Sequence, residues 1–170
     1  MEDPVMTTTQ VAQFLGTSRQ HVADLGDRGT IQCWRTGTHR RFHRTDVVAY
    51  RERTQVRAKA GAIESMNLAD RRSLAYGLLI AEKLLVETES VLAHARRNLA
   101  HQQSVHTDGS ADRYLNTWEA LLAGPTEAIL RVLTSTDDES VDFRHAAPFA
   151  GVLTDAERRA VIRSTRRMAA

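Results

Sequence analysis

The chain has 170 residues, of which 42% are hydrophobic and 26% charged, and its formal net charge is +2 at pH 7. No apolar run approaches the roughly 18 residues of a membrane span, and the first ten residues lack the pattern of a secretory signal. The single cysteine, Cys33, excludes an intramolecular disulfide and fits a reducing compartment, so we expect a cytoplasmic protein with no membrane contact.

The charge is divided unevenly along the chain. Residues 1–60 carry ten Lys or Arg against six Asp or Glu, whereas residues 61–170 carry thirteen against fifteen. Between Asp27 and Asp46 there are five arginines, two histidines and no carboxylate. Such a local basic segment is the electrostatic footprint of a nucleic-acid contact.

A short helix is predicted to begin after Thr7. Thr7 and Gln10 have the spacing of a capping box, and the apolar residues Val11, Phe14 and Leu15 recur at helical spacing. Gly16 is expected to end this helix, because a left-handed C-cap costs glycine no Cβ clash.

A second helix is predicted after a turn of about three residues. Ser18 is its expected N-cap, Val22 and Leu25 its buried face, and Gly29 its end. Two short helices joined in this way match the helix-turn-helix signature, in which the N-terminal residues of the second helix face base edges. The residues predicted to contact DNA there are Ser18, Arg19, Gln20 and His21.

A basic hairpin, called the wing below, is predicted over residues 31–43 with a tight turn at Gly37. Ile31, Trp34 and Phe42 are expected to pack on the helices. The other polar side chains are hydrogen-bond donors and are predicted to contact DNA, namely Arg35, Thr38, His39, Arg40, Arg41 and His43.

A third helix is predicted to start at Thr45 as its N-cap. Gly61 is expected to loosen this helix, so we predict a linker near residues 58–68. The predicted domains are therefore a DNA-binding domain at 1–60 and a helical dimerisation or partner-binding domain at 68–170.

Residues 7–53 resemble the excisionase-family, MerR-like winged helix-turn-helix, with LGTSRQHV, Gly29, the hairpin, RRF and TDVVAY in the order of that family. The resemblance implies that the second helix enters the major groove and that the wing lies along phosphate or the minor groove. It also implies a nucleoid-associated protein. The sequence departs from the pattern at Ala23, Asp24, Gly26 and Asp27.

These departures predict a weak recognition helix. Asp24 and Asp27 are expected to repel phosphate, and Gly26 to weaken the helix by about 1 kcal/mol relative to alanine. A homodimer or a partner would then be needed for affinity.

The region after residue 68 is predicted to be entirely helical. A helix starting at Asp70 repeats Leu74, Leu78, Ala81 and Leu85, which favours either a domain core or a dimer seam. Further features predicted in chain order are a helix burying Leu92, Ala95 and Leu99, a loop at Thr107–Ser110, a helix with Trp118, a break at Gly124-Pro125, and capping boxes at Thr136/Glu139 and Thr154/Glu157.

The region after residue 68 offers few candidate groups for a catalytic site. His94 and His101 are interpreted as surface histidines, and the acidic run 137–139 as capping charges with magnesium binding as the minor alternative. No phosphate-binding loop or nucleophile motif occurs. We therefore predict no enzyme activity, no cofactor and no metal.

Five arginines cluster in the last predicted helix. They favour either a solvated helix face or contact with an acidic partner, for which the candidate residues are Arg159, Arg163, Arg166 and Arg167. The stretches YLNTWEALLAGPTEAILRVLTSTDD and APFAGVLTDAERRAVI resemble the C-terminal halves of actinobacterial excisionase-type antitoxins.

The second resemblance implies a DNA-binding antitoxin that represses its own operon and holds a toxin. For a PIN-type ribonuclease toxin, it implies that an arginine of the C-terminal helix fills the acidic metal site. Two alternatives remain open, a MerR-like regulator that senses a small molecule between helices 74–85 and 114–133, and a phage-type excisionase that bends DNA.

Overall fold

The computed structural model describes residues 3–105 and 111–167. The elements in chain order are β1 (Val5–Thr7), α1 (Thr8–Leu15), α2 (Arg19–Asp27), β2 (Cys33–Thr36), β3 (His39–His43), α3 (Arg44–Ser65), α4 (Leu68–Val86), α5 (Thr88–Val105), α6 (Asp112–Ala123), α7 (Thr126–Thr134), α8 (Asp138–His145) and α9 (Asp155–Arg167). The predicted fold class is confirmed, since one small sheet accompanies the first two helices and every element described after β3 is helical.

The chain forms two compact units, Met1–Gly61 and Ala62–Ala170. The predicted domains were 1–60 and 68–170, and the functions assigned to them remain predictions. No helix in the described ranges is both long and apolar enough to cross a lipid bilayer.

Local capping sets the ends of α1 and the start of α2. Gln10 N donates to Thr7 Oγ1 at 3.3 Å and Thr7 N donates to Gln10 Oε1 at 2.8 Å, which confirms the predicted capping box. Gly16 ends α1 in the left-handed conformation, with φ of 66°. Ser18 Oγ accepts a hydrogen bond from His21 N at 3.1 Å, as predicted for the N-cap of α2.

The sheet has three antiparallel strands in the order β1-β3-β2, so β3 lies in the middle. β1 is missing from the sequence-based prediction. It pairs Val5 with His43 and Thr7 with Arg41, and so covers the edge of β3 that is not paired with β2.

The strand register places Phe42 at the centre of the first unit. Phe42 is 0% exposed and packs with a core of Val11, Val22, Leu25, Ile31 and Val47. Cys33 pairs with Phe42 and faces the same way, whereas Trp34 pairs with Arg41 and is 38% exposed. The prediction that Trp34 packs on the helices is therefore wrong, because successive strand residues face opposite sides and the inward position belongs to Cys33.

The start of α3 is capped from a distant part of the chain. The Asp3 carboxylate accepts hydrogen bonds from the hydroxyl and the backbone N–H of Thr45, and Arg44 N donates to Pro4 O at 2.9 Å. The sequence predicted Thr45 as the N-cap. This prediction is wrong, because Thr45 lies inside a helix that begins at Arg44.

α3 continues through Gly61 to Ser65, so the segment 58–68, predicted as a linker, is helical over most of its length rather than loosened at Gly61. A single glycine costs a helix only about 1 kcal/mol, which the neighbouring helix-forming residues outweigh. Only residues 66 and 67 interrupt the helices, and Asn67 Oδ1 accepts from Asp70 N at 2.9 Å to cap α4. α4 consequently begins at Leu68 rather than at Asp70.

The residues of the predicted leucine repeat in α4 lie partly in the core of the second unit and partly on its surface. Leu74 and Ala81 are buried, but Leu78 is 51% exposed and Leu85 is 67% exposed. The buried face of the helix comprises Leu74, Gly77, Ile80, Ala81 and Leu84. The repeat is therefore neither wholly core nor wholly surface.

Trp118 on α6 is the largest side chain in the core of the second unit, and it is 0% exposed. Its indole N–H donates to Phe143 O at 2.9 Å, and its ring meets Phe149 edge to face at 5.5 Å. The predicted inward face of α5, with Leu92, Ala95 and Leu99 buried, is confirmed.

The cap of α8 differs from the prediction. Asp137 Oδ1 accepts from Ser140 N at 2.9 Å, so Asp137 rather than Thr136 is the N-cap and the predicted Thr136/Glu139 capping box is wrong. Hydrogen bonds from Ser135 and Ser140 to the carboxylate lower the pKa of Asp137 to about 2. The carboxylate therefore stays charged and capping at neutral pH.

The last helix begins as predicted. Thr154 N donates to Glu157 Oε2 at 2.7 Å and Glu157 N donates to Thr154 Oγ1 at 3.3 Å, which confirms the capping box. Val161 and Thr165 are buried. The predicted loop at Thr107–Ser110 lies outside the described residues.

Candidate nucleic-acid interface

The turn between α1 and α2 places the predicted base-contacting residues on an exposed edge. Val22 and Leu25 fix the inner side of α2 in the core of the first unit. The first turn of α2 carries Arg19, Gln20 and His21, all of them exposed. Because the inner side is held by packing, these side chains project from a fixed backbone.

Asp24 lies one turn further along α2 and is engaged within the helix. Gln20 Nε2 donates to Asp24 Oδ1 at 2.9 Å, and Arg28 Nε donates to Asp24 O at 3.0 Å. The Gln20 amide oxygen is left available as an acceptor. Asp24 thus orients Gln20 as well as contributing a negative charge.

The wing turns at Gly37, whose φ of 63° is a conformation that glycine adopts without strain. Thr38 and His39 at the tip are exposed, and Arg35 on β2 has 60% of its side chain exposed. These three predicted contacts therefore lie together at the end of the wing.

Arg40 is placed differently from the other predicted contacts. Its guanidinium binds the carboxylate of Asp27 at the end of α2, with Nη2 at 2.6 Å from Oδ2 and Nε at 3.1 Å from Oδ1. Arg35 adds a longer contact, 3.7 Å from Nη2 to Asp27 Oδ1. The hydrogen bond from Arg40 lowers the pKa of Asp27, and the same bond raises the pKa of Arg40.

This ion pair changes the interpretation of Asp27. As an isolated acid on the recognition helix it would repel phosphate, but two arginines neutralise it here. The pair also joins the C-terminal end of α2 to β3. Arg40 is therefore held against α2 by this ion pair.

Gly26 has a packing role in the same contact. A Cβ at this position would lie 2.9 Å from Cys33 Sγ and 3.4 Å from the Phe42 ring. The absence of a side chain lets the wing approach α2 closely. The helix-weakening effect expected of Gly26 is therefore accompanied by a packing gain that the sequence does not reveal.

The face of the wing opposite Phe42, called the outer face below, carries the remaining donors. Strand alternation and register assign to it Trp34, Thr36, His39, Arg41 and His43. Trp34 stacks on His43 with ring centroids 4.6 Å apart, and His43 Nδ1 is 3.4 Å from Asp3 Oδ2. Arg41 is half-buried, and its Nη1 donates to Arg40 O at 3.1 Å.

The two short helices, their three-residue turn and the wing together make up a recognisable module. Residues 5–55 match the family model of a helix-turn-helix domain. No curated protein and no solved structure matches the chain. The helix-turn-helix domain supports a DNA-binding regulator, and the match leaves the second unit without an assigned family.

One candidate contact of the helix-turn-helix domain is missing from the sequence-based site. Trp34 is exposed on the outer face beside His43, and an exposed aromatic ring next to basic side chains is suited to contact with a nucleic acid. Strand alternation shows that Cys33 and Trp34 cannot both face the core, and the pairing of Cys33 with Phe42 decides that Trp34 is the outward one.

The predicted partner-binding arginines lie on the second unit. Arg159, Arg163 and Arg166 are exposed on α9, with the spacing of one helix face, and the side chain of Arg167 lies outside what the structure describes. His94 is half-buried, with its Nε2 2.7 Å from Ala150 O. Among the described residues, no group of three His, Cys, Asp or Glu is arranged to hold a metal ion.

Proposed function

We propose that this protein is a transcription regulator that binds operator DNA with α2 in the major groove and the outer face of the wing against the backbone. The observation that carries the proposal is the exposed row Arg19, Gln20 and His21 at the N-terminal end of α2. In a helix-turn-helix domain this is the part of the second helix that reaches base edges. The matched domain is a binding module, so the proposal is regulatory and not catalytic.

The two arginines of the RRF motif have different roles in this proposal. Arg41 on the outer face supplies charge to a phosphate, whereas the charge of Arg40 is already compensated by Asp27. A phosphate contact releases counterions from DNA and a positioning residue does not. Salt dependence therefore separates the two roles.

We expect Arg41→Ala to weaken operator binding and to reduce the slope of log K against log salt concentration by about 0.9, the value for one phosphate contact. Arg40→Ala should weaken binding with little change in slope. The measurement is fluorescence anisotropy with the promoter of the protein's own gene at several salt concentrations. Arg97→Ala, an exposed arginine of α5 in the second unit, is the control and should change neither quantity.

Equal slope changes for the two wing variants would contradict the separate roles. Unchanged binding in both variants would remove the wing from the DNA interface. Each result is read only for variants whose far-UV circular dichroism matches that of the parent protein.

We further propose that this regulator is an antitoxin that represses its own operon, as the resemblance of its C-terminal half implies. The supporting feature is the arginine row Arg159, Arg163 and Arg166, which suits an acidic partner surface such as the metal site of a PIN-type ribonuclease. The homodimer belongs to the same proposal. Leu78 and Leu85, exposed on α4, are the candidate residues of its seam.

The antitoxin proposal predicts co-purification with the product of the neighbouring gene. Reversing charge with Arg159→Glu and Arg163→Glu should abolish that association, since like charges across an interface disfavour binding. Arg97→Glu is the matched control and should retain it. This function is contradicted if the neighbouring gene product is not toxic on expression. It is also contradicted if the association survives the combined Arg159→Glu and Arg163→Glu changes.

A second candidate function is a ligand-responsive regulator. The specific observation in its favour is a cavity of about 390 Å³ within the second unit, bordered by α4, α7 and α8. Ligand sites have volumes of roughly 300–1,000 Å³ and combine apolar walls with a few polar groups. The cavity adjoins α4 and α7, two of the three helices between which the sequence analysis placed a sensing site.

A further inference from the structure

Two arginines that line the cavity of the second unit have buried side-chain nitrogen atoms without hydrogen-bond partners. Arg144 on α8 is only 6% exposed. Its Nη1 donates to Val132 O at 2.8 Å and to Ser135 O at 2.6 Å, but its Nε and Nη2 have no hydrogen-bond partner. Arg72 on α4 also lines the cavity, and its buried Nε has no partner either.

Unpaired guanidinium N–H groups in a protein interior carry a free-energy cost. Buried polar groups are nearly always hydrogen-bonded, and a buried charge is nearly always paired. Burial accordingly lowers the pKa of Arg144. Arg72 is half-buried and Arg144 is buried, and the unpaired nitrogen atoms of both beside one cavity favour an acceptor there.

The lining of the cavity includes no carboxylate that would serve as that acceptor. Its basic side chains are Arg72, Arg144, Arg158 and His145. Asp70 and Asp137 are near enough to interact with the charge of Arg144, but both are engaged elsewhere. Asp70 Oδ1 is 2.9 Å from His145 Nε2, and Asp137 caps α8.

The rest of the wall is mainly apolar. Ile80, Leu133, Phe149 and Leu153 are buried core residues that line the cavity. An occupant must therefore present an anionic group to the two arginines and an apolar body to these side chains. A singly charged group is favoured over phosphate, because an apolar cavity penalises desolvation of a dianion more strongly.

We propose that this cavity binds a small organic carboxylate, which pairs with the guanidinium groups of Arg144 and Arg72 among the residues that line it. The planar guanidinium fork matches the geometry of a carboxylate. The binding step does not depend on DNA binding by the first unit. Only its regulatory consequence rests on the ligand-responsive function proposed above.

The structure also supplies a spectroscopic reporter for the cavity. Phe149 lines the cavity and touches Trp118 edge to face. The segment that carries Phe149 is held by Asn98 Nδ2, which donates to Ala150 O at 2.7 Å. A ligand that meets Phe149 should thus alter the fluorescence of Trp118, and Trp34→Phe leaves Trp118 as the single tryptophan of the chain.

The binding test is titration calorimetry on the full chain with 2-naphthoate and octanoate as probes. Inorganic phosphate and the uncharged 2-naphthamide serve as comparison compounds. We expect at least one carboxylate to bind with a Kd below about 1 mM and about ten-fold or more tightly than either comparison compound. The same titration in the Trp34→Phe variant should change Trp118 emission.

Arg72→Met keeps the apolar stem of the side chain and removes its donors, so it should weaken carboxylate binding by about ten-fold or more. Arg131→Met is the matched control, because Arg131 is exposed on α7 and does not line the cavity. Arg144→Lys, which keeps the charge but loses the fork, should also weaken binding. This variant is used because Arg144 holds Val132 and Ser135.

The proposal is overturned if neither carboxylate binds, if naphthamide or phosphate binds as tightly, or if Arg72→Met behaves like Arg131→Met. Carboxylate binding that leaves operator affinity unchanged would remove the ligand-responsive function and keep the site. Failure of the wing variants to affect DNA binding would concern the first unit alone.

Discussion

Replacing Phe42 by alanine should unfold the first unit, whereas replacing Trp34 by alanine should leave it folded. Both are aromatic residues of the same hairpin, but Phe42 is 0% exposed and Trp34 is 38% exposed. Truncating a buried phenylalanine typically lowers the free energy of unfolding by about 3–5 kcal/mol, a large fraction of the stability of a small domain. An exposed residue usually changes it by less than about 0.5 kcal/mol.

The measurement is amide hydrogen exchange resolved by segment, which reports the first unit separately from the second. Phe42→Ala should abolish protection in residues 8–47 and operator binding with it, while the second unit keeps its protection. Trp34→Ala should preserve protection and reduce operator affinity alone. Similar loss of protection in both variants would contradict the assigned faces of the wing.

Gly77→Ala should destabilise the second unit by about 2 kcal/mol or more, even though alanine favours helices over glycine by about 1 kcal/mol. A Cβ on Gly77 would lie 2.2 Å from the backbone oxygen of Leu133 and 3.1 Å from Arg144 Cδ. Backbone atoms cannot rotate away as a side chain can. The added methyl group must therefore push α4 and α7 apart.

Gly61→Ala is the matched control within a helix, because nothing lies within 4 Å of a Cβ at that position. It should stabilise the chain by about 0.5–1 kcal/mol. Urea denaturation, followed by circular dichroism and by Trp118 fluorescence in the Trp34→Phe background, measures both changes. A neutral or stabilising effect of Gly77→Ala would show that α4 and α7 are not in close contact.

The features predicted correctly depend on residues near one another in the chain. The capping boxes at Thr7 and Thr154 involve partners three residues away. The N-cap at Ser18 is equally local. Such signals need no knowledge of tertiary contacts, which is why the helix-turn-helix geometry and the all-helical second half could be read from the sequence.

The features that were missed depend on distant or competing partners. β1 is three residues long and forms only by pairing with β3, and Asp3 caps a helix whose Thr45 lies 42 positions away. Thr136 and Asp137 are adjacent residues that can both cap a helix, so propensity alone does not choose between them. The face of the sheet on which Trp34 lies follows from its pairing with Arg41 on β3.

The candidate interface was only partly readable for the same reason. Clustering of basic residues indicated the wing, but the sequence cannot show that Asp27 neutralises Arg40 across 13 positions. The cavity was less readable still. An arginine in a helical segment looks solvated until the fold brings Val132 and Ser135 to it and leaves two of its nitrogen atoms unpaired.

The contact between Asp27 and Arg40 also constrains how this protein can change over generations. Loss of Arg40 alone would leave the Asp27 carboxylate with only its longer contact to Arg35, and loss of Asp27 alone would remove the ion pair that joins α2 to β3. Each single replacement is harmful in a way that the second replacement partly corrects. The two positions should therefore be inherited as a pair, with both charges kept or both lost among descendants of this sequence.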